Sequence, residues 1–130
     1  MSRAANDSSI VRRPVTRVTG RSRETRDDAL AVERPLEIRV DARSLAVTLR
    51  TPGNDRELAL GFMAGEGVLR SAADVTAVRE TPADCADAPD VLDVSLAPGR
   101  VVDWTKLERH FAATAACGLC GRRVLPVARR

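Results

Sequence analysis

Aromatic side chains are almost missing from this 130-residue chain, which has no tyrosine, two phenylalanines (Phe62 and Phe111) and one tryptophan (Trp104). That scarcity excludes an aromatic platform for stacking single-stranded nucleic acid, and it leaves an aliphatic core as the expectation. Long apolar runs are missing too: the apolar stretches are a few residues long and broken by charge, so no membrane-crossing helix is expected. The opening segment MSRAANDSSIVRRP has no continuous apolar stretch behind its basic residues, so no secretion leader is expected either. Histidine occurs once, as His110, and cysteine three times, as Cys85, Cys117 and Cys120. An odd cysteine count without a leader argues for free thiols in a reducing cytoplasm and against a disulfide framework.

The charge that is present is unevenly spread. The net charge is +3, but residues 1–28 carry seven arginines against four acids, residues 29–121 carry ten basic against fourteen acidic groups, and residues 122–130 carry four arginines and no acid. The globular part is therefore acidic and the ends are basic. Low hydrophobicity and scattered Ser and Thr make 1–28 read as a disordered basic arm and 122–130 as a basic tail. Such arms are more often solvated than bound to nucleic acid, so neither nucleic acid nor membrane is expected as a partner. With 44% apolar residues, the length suits one domain.

From about Leu30 the pattern tightens. Leu36–Val40 and Leu45–Leu49 alternate apolar with polar or small residues across the polar segment 41–44, which predicts a β-hairpin with one wet face. Pro52-Gly53 ends the second strand, and Asn54 stands three residues before Glu57, the spacing of a capping box for a helix to about Ala64. Leu58, Ala59, Phe62 and Met63 fall on one face of that helix, a core stripe. Gly61, Gly65 and Gly67 invite comparison with a phosphate loop, which fails because no Lys-Ser or Lys-Thr pair follows and the glycines close a helix. Gly61 and Gly65 are expected to let another element approach closely, and Gly67 to stop the helix. Glu66, between glycines, is a lone carboxylate without a visible partner. Residues 74–79 and 91–96 read as two more strands around a connection holding Cys85, and Pro98-Gly99 breaks the second.

The chemistry-bearing pattern is Cys117-Gly118-Leu119-Cys120-Gly121, followed by Arg122 and Arg123. Two sulfurs three residues apart at the start of a helix would meet unsatisfied N–H groups and nearby guanidinium charge, and both favour the thiolate that attacks sulfur. Three other readings stay open. Half a zinc site would need two more ligands, and Cys85 and His110 stand unpaired. A redox dithiol belongs near the beginning of a thioredoxin-like unit. Two small buried thiols fit poorly with flanking glycines.

Taken together, Glu33–Val40, Leu45–Gly53, Glu57–Phe62 with Gly65-Glu66-Gly67, and Arg109, Phe111, Thr114 and Cys117–Gly121 resemble the formate dehydrogenase accessory sulfurtransferase family, FdhD/NarQ. The resemblance covers about residues 30–122 and implies an α/β fold: the β-rich, α+β N-terminal portion of a cytidine-deaminase-like architecture, with a hairpin and short strands packed on one or two helices. Within it, 29–121 would be an incomplete domain ending at the cysteine pair. The resemblance further implies a sulfur carrier that takes persulfide sulfur from a cysteine desulfurase and passes it to the molybdenum bis-guanine-dinucleotide cofactor of formate dehydrogenase. Cys117 would carry the persulfide and Cys120 would support or resolve it, with no resident cofactor or metal. Formate dehydrogenase, the desulfurase and a second copy of the chain are the partners it suggests. Ala115-Ala116 replaces the family's serine pair, and VLPVARR departs from the family's next helix, so no cofactor-binding residue can be assigned and a premature stop or frameshift is expected. A non-catalytic docking module and a redox or zinc protein are the competing functions.

Overall fold

The computed structural model describes residues 9–85 and 88–107. Six strands, one α-helix and a 3₁₀ turn follow in the order β1 (Ile10–Thr19), β2 (Ser22–Ala31), β3 (Arg34–Val40), β4 (Arg43–Arg50), α1 (Asp55–Gly65), the 3₁₀ turn Ala72–Asp74, β5 (Val75–Thr81) and β6 (Asp90–Leu96). This is the mixed α/β class the sequence predicts. The strands form a two-stranded ribbon, β1-β2, and a four-stranded sheet in the order β4-β3-β6-β5.

The ribbon corrects the expectation of disorder for residues 10–28, while 1–8 lie outside the described residues. Residues 10–31 pair antiparallel from Ile10↔Ala31 to Thr19↔Ser22. Gly20 takes φ 60° as the first of two loop residues and Arg21 stays out of the left-handed region, the pattern of a II′ hairpin turn. Val11, Val15, Thr16, Val18 and Thr25 supply β-branched residues, but both faces are largely exposed, so no apolar alternation marks the strands.

In the main sheet, Leu36, Ile38 and Val40 point into the core, while Arg39 donates to Glu37 at 2.9 Å on the opposite face. The β3–β4 connection is tighter than the four polar residues suggest. Asp41 and Ala42 alone turn the chain, both at positive φ (47° and 65°), as a I′ turn requires. A bulge follows, for Ile38 pairs with Ala46 and Arg39 with Ser44. It leaves Leu45 over and lets the consecutive residues Leu45, Ala46 and Val47 all be buried. β6 then inserts parallel to β3 and antiparallel to β5.

α1 covers the core face through Ala59 and Met63, both fully buried, with Phe62 and Leu60 packed beside them; Leu58, expected in the stripe, is 40% exposed. Asn54 makes no side-chain capping bond, so the expected capping box is absent; its carbonyl accepts from Leu58 N–H at 3.0 Å instead. The helix ends as predicted at Gly67 (φ 75°). There Val68 N–H reaches Met63 O at 2.9 Å and Gly67 N–H reaches Ala64 O at 3.1 Å, a Schellman closure. Gly61 and Gly65 correct another expectation, since a Cβ at either would meet nothing within 4 Å among the described residues.

Candidate functional site

Four element ends converge at one side of the sheet. Arg50 ends β4 directly opposite Arg34, which begins β3; Asp90 begins β6 opposite Leu36; and Asp55 begins α1. Arg50 is 8% exposed and bonded through all three of its guanidinium nitrogens. Its Nε donates to Asp55 Oδ1 at 2.8 Å, its Nη2 to Asp55 Oδ2 at 2.6 Å and to Asp90 Oδ2 at 2.7 Å, and its Nη1 to Arg34 O at 3.3 Å. Asp90 Oδ1 accepts from Ala83 N–H at 2.9 Å and lies 3.4 Å from Arg34 Nη2. Burial alone would raise the Asp90 pKa, but the Ala83 amide, the Arg50 guanidinium and the positive charge of Arg34 outweigh it and hold the carboxyl below its ordinary range. Burial likewise opposes the charge on Arg50, and the bonds from Asp55 and Asp90 reverse that, so its pKa lies above the ordinary value.

This cluster lines an open cleft of about 750 Å³, whose wall includes Arg34, Arg50, Asp55, Glu57, Glu80 and Asp90. The Arg50 guanidinium is committed to Asp55, Asp90 and the Arg34 carbonyl, so the arrangement is a clamp and not an acid–base pair. Glu57 and Glu80, by contrast, are exposed on the cleft wall. Sequence reading missed the clamp. The available signal was an arginine closing an otherwise core-facing strand, with an acid five residues later.

Cys117 and Cys120 lie outside the described residues, as do Arg109, His110, Phe111 and Thr114. What is described is the root of the segment that leads to them. Residues 104–107 form a helical turn, capped where Asp103 Oδ1 accepts from Lys106 N–H at 3.0 Å. Leu107 is buried in the core at 4% exposure, and the Arg43 guanidinium sits 4.0 Å over the Trp104 ring, joining this root to the first residue of β4. Cys85 is a free, exposed thiol in the β5–β6 connection, and Glu66 is the C-cap of α1. Among the described residues no group of three or more His, Cys, Asp or Glu could hold a metal ion, and no helix is long and apolar enough to cross a membrane.

Comparison with known proteins adds to this geometry. The model of the FdhD/NarQ family matches residues 31–130. The chain belongs to the FdhD/NarQ family. The match runs past residue 122, where the sequence reading closes the resemblance, and takes in both cysteines of the pair and the basic tail. Among curated FdhD relatives, "Sulfur carrier protein FdhD" of Streptomyces coelicolor is 43% identical over 122 residues, covering 91% of this chain and 43% of that protein. The protein of the same name from Streptomyces avermitilis is 41% identical over 121 residues, with the same two coverages. The one from Mycobacterium tuberculosis is 45% identical over 107 residues, covering 78% of this chain and 39% of the relative. The chain thus spans less than half the length of these FdhD proteins. A crystal structure described as a formate dehydrogenase accessory protein from Desulfotalea psychrophila is similar to the model at a TM-score of 0.57 and 18% identity, covering 68% of this chain and 35% of that one. At that identity the likeness shows the fold alone.

Proposed function

We propose that this chain is the cysteine-bearing portion of a sulfur carrier that serves the maturation of formate dehydrogenase, with Cys117 as the sulfur-carrying thiol. The observation that carries the reading is that Cys117-Gly118-Leu119-Cys120-Gly121 falls inside the 31–130 family match, and that relatives aligned over 91% of the chain are named sulfur carriers.

In this reading a cysteine desulfurase presents a persulfide. The Cys117 thiolate attacks its outer sulfur, the donor's S–S bond breaks, the donor thiolate leaves with the electron pair, and a new S–S bond remains on Cys117. The step is redox-neutral and needs neither metal nor resident cofactor. Cys120 then attacks the inner sulfur of Cys117; the outer sulfur departs at the sulfide level to the acceptor, the molybdenum bis-guanine-dinucleotide cofactor as substrate, and a Cys117–Cys120 disulfide forms. A dithiol reductant restores the pair, a requirement that suits a reducing compartment such as the cytoplasm. Upstream of the pair, residues 103–107 are anchored by the Asp103 cap and by Leu107 in the core.

Mass spectrometry of the folded chain after exposure to a desulfurase and cysteine tests the proposal. One added sulfur is expected on Cys117, absent from Cys117→Ala and accumulating in Cys120→Ala. Folded protein that gains no sulfur overturns it.

A further inference from the structure

We infer that Arg43 is a positioning residue for the loading of sulfur onto Cys117, acting through Trp104 at the root of the cysteine-bearing segment, a role that rests on the sulfur-carrier reading above. Only nine residues stand between Leu107, which is buried in the core, and Cys117. A fully extended chain advances at most about 3.6 Å per residue, so the Cα of Cys117 lies no farther than roughly 36 Å from that of Leu107. Wherever the root is fixed, the space open to the thiol is fixed with it. The root has little to hold it by itself. Residues 104–107 make one helical turn, too short to persist unsupported, with Lys106 N–H donating to Asp103 Oδ1 at 3.0 Å and Leu107 N–H to Asp103 O at 3.2 Å. Trp104 supplies the sideways hold: it packs against the core together with Val102, and the Arg43 guanidinium sits 4.0 Å over its ring.

Arg43 itself starts from a braced platform. It follows directly on the Asp41-Ala42 turn, and that turn is tied to β6 at three points. Asp41 N–H donates to Val94 O at 3.0 Å, Leu96 N–H to Asp41 Oδ1 at 3.1 Å, and Ala42 N–H to Asp93 Oδ1 at 3.1 Å. Because β6 is an inner strand of the sheet, the guanidinium references the Trp104 ring to the most enclosed part of the fold. The contact lies at the surface, with Arg43 exposed and Trp104 half-buried. An exposed cation–π contact adds little to global stability, so what its loss changes is the placement of the root. A misplacement of about 1 Å at reacting atoms can cost about a hundredfold in rate, and a loosened root is enough to slow a transfer between two proteins.

The test follows sulfur loading of Cys117 in the full chain by mass spectrometry against time, at increasing concentrations of a desulfurase supplied with cysteine, for the parent, Arg43→Ala and Arg43→Lys. Arg43→Ala is expected to load about tenfold more slowly at saturating desulfurase, with the half-saturating concentration unchanged. Arg43→Lys keeps a cation over the ring and is expected to recover most of the rate. Iodoacetamide, which requires no docking, should alkylate Cys117 equally fast in all three, and their urea midpoints should agree. Equal loading by the parent and Arg43→Ala overturns the inference alone, as does a loss that Arg43→Lys leaves uncorrected, or one shared by iodoacetamide labelling or by the urea midpoint. A parent chain that gains no sulfur overturns the proposed function and this inference with it.

Discussion

Arg50 grips Asp55 through both carboxylate oxygens, at 2.8 and 2.6 Å, and so fastens the last residue of β4 to the first residue of α1. The same guanidinium reaches Asp90 at 2.7 Å, which brings in the first residue of β6. One side chain therefore holds three element ends that are five and forty residues apart in sequence.

Removing that side chain leaves two carboxylates facing each other in a half-buried place. Arg50→Ala is expected to cost roughly 3 kcal/mol of stability, read as a lowered midpoint in urea unfolding. Arg50→Lys is expected to recover only part of the loss, because an ammonium cannot make the two-pronged contact with Asp55.

Acid should weaken the same clamp. The folded pKa of Asp90 lies below its ordinary value of 3.8, so its contribution is present above about pH 4 and is lost as pH falls through the folded value. Denaturant midpoints measured between about pH 5 and pH 2 should fall steeply for the parent chain and less steeply for Asp90→Asn, which starts lower. Equal slopes would contradict the assignment.

Ala42 turns the β3–β4 hairpin at φ 65°, where its Cβ is strained, while Asp41 before it is well suited to such a turn. Ala42→Gly is expected to stabilise the chain by about 0.5–1 kcal/mol, seen as a raised melting temperature. The Ala42 amide that donates to Asp93 Oδ1 at 3.1 Å is kept by the substitution.

Gly61 lies inside α1, and among the described residues nothing stands within 4 Å of where its side chain would be. Gly61→Ala should add about 0.8 kcal/mol through helix propensity alone, again as a raised melting temperature. A drop would mean that a neighbouring surface needs the gap.

What could be read from sequence divides along burial. β3, β4, α1, β5 and β6 were legible because each sets apolar residues against a shared core, most regularly in β3, where Leu36, Ile38 and Val40 keep the period of a strand. The ribbon was not, because Arg12, Arg17, Glu24 and Arg26 occupy strand positions with no buried face to impose alternation. Its usable signal was Gly20 directly after the β-branched pair Val18-Thr19. The helix start misled for a different reason: Asn54 and Glu57 have capping spacing, yet the first turn is held by Asp55 on Arg50. The clamp itself depends on β6 lying beside β3, a pairing that joins Leu36 to Asp90 across more than fifty residues and that no local pattern announces. The cysteine pair was legible from motif and family resemblance alone, for it lies outside the described residues.

The placement of β6 between β3 and β5 has a bearing on biosynthesis. During translation the hairpin, the helix and β5 emerge first, and the strand that belongs at the middle of the sheet emerges last of the six. Until the ribosome has released Leu96, β3 must wait with a bare flank and Leu36, Ile38 and Val40 half-covered, a window in which chaperone capture competes with self-assembly.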